Sequence, residues 1–316
     1  MKTDISVVIP VHNEEKNLRP LYERLTASLA GGKKACEFIF VEDGSTDGSL
    51  KVLKEICRDD KRVKIVGLSR NFGHEIATTA GLRYSKGDAV IVMDADLQHP
   101  PEAIPGLIEK HEEGYDIVYA LRRSRKAESK YKEVMSKLFY RVINRVIEIK
   151  LPHDLTDFML LSRRAVKAVL QFSENVRFFR GMVSWVGYKS ASIYYEEDKR
   201  YSGSSKYDLS KLIRLALDII TGYSIKPLTL VTYLGFTVFL VSLLLIIYYL
   251  AKTIIFGISF PGFASLMLTV LFIGGVQLLS VGIIGQYIGR IYTETQKRPL
   301  YLIDELTGIE EGGADQ

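Results

Sequence analysis

Short, largely apolar runs alternate with longer segments of mixed pattern along the first hundred residues. Residues 5–10 (ISVVIP), 37–43 (EFIFVED), 63–69 (VKIVGLS) and 88–94 (DAVIVMD) are brief and rich in β-branched side chains. Being apolar on consecutive positions, they predict strands buried on both faces of a parallel sheet. The segments between them, NEEKNLRPLYERLTASL, DGSLKVLKEICRD and HEIATTAGLRYS, carry apolar residues at helical spacing. Asn13 is a candidate N-cap, with Glu14 and Glu15 in the first turn, where the helix dipole favours acids. The alternation predicts an α/β fold, a doubly wound, mostly parallel Rossmann-like sheet flanked by helices. Ligands of such sheets bind beyond the carboxyl ends of the strands. His12-Asn13-Glu14, Glu42-Asp43-Gly44-Ser45 and Asp94-Ala95-Asp96 stand at those ends and should gather on one edge.

Residues 116–122 predict a further strand, and 123–150 a basic, helix-like stretch. Residues 153–166 read as a loop, a short strand and a helix start, and 185–198 as an alternating strand. Residues 199–211 are polar, basic and contain glycine and serine, the composition of a loop. Residues 211–225 have an apolar face at helical spacing. A helix packed on the preceding domain and one lying in a membrane interface fit that face equally well.

The pattern then changes. Residues 228–250 are 23 consecutive uncharged residues, enough at ~1.5 Å per residue to cross a ~30 Å hydrocarbon core. Residues 260–288 form a second uncharged run, with Lys252, Gly257 and Pro261 marking the turn between them. The division predicted is a catalytic domain over 1–205, an amphipathic juxtamembrane helix over 206–226, two transmembrane helices within 227–289 (about 228–250 and 261–288), and a C-terminal tail over 290–316. Lys206, Lys211, Arg214 and Lys226 precede the spans, and Arg290, Lys297 and Arg298 follow them. The positive-inside rule then predicts a multi-pass protein of the cell (plasma) membrane, with its N-terminal domain and C-terminus cytosolic.

A formal net charge of +5 over 316 residues is too mild to argue for nucleic acid as a partner. Cys36 and Cys57 form no CxxC, and the five histidines are scattered, against a zinc site. No GxxxxGK or GxGxxG loop is present, against a P-loop or dinucleotide enzyme. Asp94 and Asp96 at a strand tip could hold Mg²⁺, which takes one or two carboxylates and completes its shell with phosphate and water. Gln98 could add an amide oxygen. A solvated turn explains the same acids equally well, so the motif alone leaves both readings open. Asp47 reads as a helix cap, His99 as a residue shaping the turn before Pro100, and Asp43 as an acceptor for a base or ribose.

Taken together, VVIPVHNEE, FIFVEDGSTDGS, VIVMDADLQHPPE, LTDFMLLSRRAV, the RYSGSSKY loop and the C-terminal apolar pair resemble the family 2 glycosyltransferases of GT-A fold. Within that family they look most like the polyprenyl-phosphate branch, the bactoprenol glucosyltransferases and dolichyl-phosphate mannose synthases. The resemblance covers nearly the whole chain. It implies that Pro10, Glu14, Asp43 and Asp94 bind a nucleotide-sugar, UDP-glucose before others. It implies that Asp94, Asp96 and Gln98 hold Mg²⁺ or Mn²⁺. Arg122, Arg200, Ser204 and Lys206 would contact the phosphate of a polyprenyl phosphate acceptor, undecaprenyl or dolichyl. Arg123, Arg125 and Lys126 are read as solvated charges. Asp94, Asp96 and Asp157 would be catalytic, Asp157 as a general base, an orienting group or a mere strand cap. The resemblance and the Gly285/Gly289 pair imply a homo-oligomer such as a tetramer. A processive polysaccharide synthase and a membrane-anchored nucleotide-sugar-binding protein without activity remain as alternatives. The first is disfavoured because the chain carries no QxxRW.

Overall fold

The four apolar runs form the centre of one sheet. The computed structural model describes residues 3–32, 34–123, 155–175, 177–196, 224–256 and 262–309. β1 (Ile5–Val11), β2 (Cys36–Glu42), β3 (Val63–Leu68) and β4 (Ala89–Val92) are linked by α1 (Glu15–Leu29), α2 (Ser49–Asp59) and α3 (His74–Tyr84). β1 pairs in parallel with β2 and β4, and β2 with β3. After α4 (Ile104–Glu112) come β5 (Ile117–Arg122), β6 (Leu155–Ser162), α5 (Arg163–Leu170), α6 (Phe179–Val186) and β7 (Ser190–Tyr195). Then follow α7 (Lys226–Phe256), α8 (Phe263–Thr295) and β8 (Ile303–Thr307). The eight-stranded sheet runs β7-β5-β6-β4-β1-β2-β3-β8.

Both faces of the parallel centre are covered, which is why its strands are largely apolar. Val7, Ile9, Phe38 and Phe40 pack with Leu18, Leu21 and Leu25 of α1 and Leu53 of α2. On the other face α3 lies so close that a Cβ on Gly81 would meet Val8 Cγ1 at 2.3 Å. Only glycine permits that approach.

Two strands depart from the parallel pattern. β6 runs antiparallel between β4 and β5. β8 runs antiparallel to β3, with Ser69 N–H donating to the Leu302 carbonyl at 3.0 Å beyond the ladder. The residues expected as a C-terminal tail thus supply an outer strand of the sheet. Ion pairing of Lys54 with Glu305, 2.7 Å apart, adds to that edge.

The N-cap expected at Asn13 is not formed. α1 starts at Glu15, with Glu14 in the cap position and no side-chain cap. Asn13 takes φ 59°, and its Oδ1 accepts the Thr46 N–H at 2.8 Å. Asp47 replaces it. Its Oδ2 accepts the Glu15 N–H at 3.2 Å and its Oδ1 the Ser49 N–H at 2.9 Å, so one carboxylate serves the starts of α1 and α2. The expected strand over 185–198 begins only at Ser190, because Trp185 and Val186 end α6 and Gly187 turns left-handed.

Residues 224–256 and 262–297 belong to a separate compact unit. Within it α7 has 31 residues and α8 has 33. At ~1.5 Å per residue each exceeds a ~30 Å core. Leu230, Phe236, Leu278 and Leu279 are all more than half exposed, so the apolar surface is not spent on packing within the chain. Both helices are long and apolar enough to cross a membrane by length and composition. α8 continues past residue 288 to Thr295, carrying Arg290 and Glu294 on its last turns. The helix predicted over 206–226 and the basic stretch over 123–150 lie outside the described residues but for their ends.

Candidate active site

The parallel strands end in the three polar tips, and these do gather on one edge. They line a cleft of about 390 Å³ with Asn71, Gly73, His74 and Asp157. One wall is built on Asp43, which is buried at the end of β2. Its two carboxylate oxygens accept the N–H groups of Phe72 (2.7 Å) and Gly73 (2.9 Å), fixing the β3–α3 loop against β2. Gly44 makes this possible: it takes φ 61°, and a Cβ there would lie 2.4 Å from the Asn71 nitrogen. His12 completes the wall. Its Nδ1 donates to the Asp43 carbonyl at 2.8 Å, which leaves Nε2 to accept from the Asn71 side-chain amide at 3.0 Å. With both nitrogens engaged, the ring has only its faces left for a ligand.

The opposite wall is acidic. Val92 of β4 pairs with Met159 of β6 in antiparallel register, so two residues further on Asp94 comes opposite Asp157. Asp157 is 6% exposed and is held by Arg180 from α6. Arg180 Nε donates to Oδ1 and a terminal nitrogen to Oδ2, both at 2.7 Å. Burial works against the charge on Asp157, but the guanidinium outweighs it and lowers the carboxyl to about 2. His74, first residue of α3, puts Nε2 3.4 Å from Asp94 Oδ1 and 3.8 Å from Asp157 Oδ2. Partial desolvation opposes protonation of this solvent-facing imidazole, yet the carboxylates of Asp94 and Asp157 raise it above the ordinary range. Burial and the neighbouring Asp157 charge push Glu75 up to about 7.

Asp94 is aimed by His99. The buried His99 ring stacks on Phe158 with centroids 5.2 Å apart, and its Nδ1 accepts the Asp94 N–H at 3.0 Å. Asp94 Oδ1 is buried and receives no hydrogen bond. A buried carboxylate oxygen left so costs stability, and a cation would satisfy it. One ligand atom each from His74, Asp94 and Asp157 lie within 4.8 Å of one another. Two carboxylates and an imidazole suit a divalent cation of the Mg²⁺ or Mn²⁺ kind, the nitrogen fitting Mn²⁺ better. The residues present therefore fit a metal.

The model of "Glycosyl transferase family 2" matches residues 6–170. A glycosyltransferase of Synechocystis is 47% identical over 98% of this chain and 98% of its own length. The chain belongs to glycosyl transferase family 2. The bactoprenol glucosyl transferase of Shigella phage SfX is 39% identical to it over 95% of this chain and 98% of the relative. Among solved structures, glucosyl-3-phosphoglycerate synthase from Mycobacterium tuberculosis, in complex with Mn²⁺, UDP-glucose and phosphoglyceric acid, is 19% identical with a TM-score of 0.48. It covers 69% of this chain and 78% of that one.

In this family 2 glycosyltransferase, Pro10, Glu14, Asp43, Asp94, Asp96 and Asp157 all line the cleft. Asp96 Oδ1 accepts the Gln98 N–H at 3.1 Å, closing a tight turn in which Leu97 takes φ 66°. Gln98 is not among the lining residues. Arg122 ends β5 at the same sheet edge, opposite Tyr195 of β7 and outside the lining. Arg200, Ser204 and Lys206 lie outside the described residues. His74, Asn71, Glu75 and Arg180 were not anticipated. Asn71 and His74 carried a signal, since they lie where a predicted strand gives way to a helix. Arg180 carried none, being placed only by tertiary packing.

Proposed function

We propose that this glycosyltransferase moves a sugar, glucose first among candidates, from a nucleotide-sugar to a polyprenyl phosphate at the cytosolic membrane face. The observation that carries the reading is the combination of an acidic cleft with two helices of membrane length, over the span shared with a bactoprenol glucosyl transferase. Asp43 and His12 form the wall suited to the nucleoside. A diphosphate must enter beside Asp94, Asp96 and Asp157, where like charges repel. His74, Asp94 and Asp157, with Asp96 at the rim, would hold Mg²⁺ or Mn²⁺, which when bound neutralises the diphosphate and the departing nucleotide.

The acceptor needs no strong base. A phosphate monoester has a second pKa near ~6 and is largely dianionic at neutral pH. Asp157, lowered to about 2, is a poor proton acceptor. Its role is to hold charge and position between Arg180 and His74. Attack of the phosphate oxygen on the anomeric carbon breaks the bond to the diphosphate in one displacement and inverts the configuration.

The return of the chain as β8 supports a two-span hairpin. β3 and β8 share one sheet, so an even number of crossings must separate them. Lys226 at the start of α7, Arg290 near the end of α8, and Lys297 and Arg298 beyond it favour the cytosolic side for both ends. The decisive experiment mixes purified protein, labelled nucleotide-sugars and undecaprenyl phosphate. One chloroform-soluble sugar-lipid supports the reading, and polymer would point to a processive synthase. Asp96→Asn should abolish metal-dependent transfer without impairing membrane insertion, and near-normal turnover would sink its place in the metal site.

A further inference from the structure

Glu75 is a carboxylate at the heart of the cluster with no part in the transfer chemistry. Its Oε2 accepts the Phe179 N–H at 2.9 Å, across 104 residues of sequence. Phe179 is the first residue of α6, whose own N-cap position, Phe178, supplies no side-chain cap. The first N–H groups of a helix need outside acceptors, and acidic groups are favoured there. Glu75, second residue of α3, therefore caps α6 from another element.

The neighbours of both partners point to the same carboxylate. Next to Glu75 is His74, 3.8 Å from Asp157. Next to Phe179 is Arg180, which grips Asp157 with two hydrogen bonds. The Glu75–Phe179 bond thus ties together the starts of the two helices that converge on Asp157. We propose that Glu75 is a positioning residue: by capping α6 it fixes Arg180, and through Arg180 the Asp157 carboxylate, relative to His74 and Asp94. This rests on the transfer reading for its kinetic consequence, but the cap itself does not. Misplacement of a reacting group by about 1 Å can lower turnover about 100-fold.

The test uses the full-length protein in lipid nanodiscs, comparing wild type with Glu75→Ala, Glu75→Asp and Glu75→Gln. Glutamine keeps an oxygen that accepts the Phe179 N–H, whereas aspartate falls one methylene short. Glu75→Ala and Glu75→Asp should lower kcat about 100-fold with little change in the KM for UDP-glucose. Hydrogen exchange in the peptide over 177–182 should quicken in both. Glu75→Gln should recover most of the turnover and the protection. Unchanged exchange in Glu75→Ala, wild-type turnover in that variant, or failure of glutamine to rescue would each overturn the assignment. If wild type itself transfers no sugar to undecaprenyl phosphate, the transfer reading fails, while exchange still decides the cap.

Discussion

Arg180 donates to both carboxylate oxygens of Asp157 at 2.7 Å, so the acid at the cleft is held by a two-pronged contact rather than by solvent. A buried carboxylate that loses such a partner is left an uncompensated charge. Lysine cannot reproduce the planar fork. Arg180→Lys is therefore expected to raise the Asp157 carboxyl from about 2 and to lower kcat about 100-fold. Steady-state transfer assays check this, and a variant with wild-type kcat would refute the positional role of the pair.

Cation and nucleotide binding should separate by mutation. Asp94 Oδ1 is buried without a hydrogen-bond donor, whereas both oxygens of Asp43 are engaged by backbone N–H groups. Asp94→Asn is expected to weaken Mn²⁺ binding about 10- to 100-fold, judged by the usual cost of losing metal-site partners. Asp43→Asn should spare Mn²⁺ and weaken UDP, because it loosens the β3–α3 loop. Electron paramagnetic resonance titration of Mn²⁺ and calorimetry of UDP distinguish them. Equal Mn²⁺ affinity in Asp94→Asn and wild type would remove Asp94 from the cation site.

Gly44 offers a purely steric test of the same wall. Its φ of 61° and the 2.4 Å separation of a built Cβ from the Asn71 nitrogen leave no room for alanine. Gly44→Ala should cost about 1–3 kcal/mol of stability, the range for enforced backbone strain. UDP affinity should fall with it. Thermal unfolding with and without UDP reports both effects, and an unchanged midpoint would mean that the loop can move aside.

Much of this was legible in the sequence because the parallel strands are marked by apolar runs, and their polar tips by the break in those runs. Asp94 and Asp157 lie 63 positions apart and come together only because β6 runs antiparallel to β4. Nothing in the local pattern of LTDFMLLS distinguishes that direction from the parallel one. The capping of α1 failed for a related reason: the acceptor for its first N–H, Asp47, belongs to the next loop. β8 was missed because five residues after a long apolar helix carry little periodicity, and their pairing with β3 is decided across most of the chain.

That strand makes the residues after the second long helix part of the catalytic unit. Ending the chain at Arg298 would bare the edge of β3 and free the Ser69 N–H from Leu302, at the start of the loop that carries Asn71 and leads to His74. Unpaired edges template aggregation. The shortened protein is expected to insert in membranes but to aggregate on extraction and to bind UDP weakly. Size-exclusion chromatography and UDP calorimetry check this, and a monodisperse, UDP-binding product would show the strand to be dispensable.

Glu75 gives a pH dependence whose sign can be worked out. It faces Asp157, His74 and Arg180, and burial together with the Asp157 charge raises it from 4.5 to about 7. The folded protein therefore keeps a proton that the unfolded chain releases above about 4.5. Its contribution is fully present below the unfolded value and is lost as pH rises through the folded one. Relative to Glu75→Gln, which retains His74, Asp157 and Arg180 but does not titrate, wild type should lose stability between about pH 4.5 and 7. Above that the difference should level off. Thermal unfolding of both proteins across this range measures it. A difference independent of pH would mean that Glu75 is ionised in the folded protein throughout.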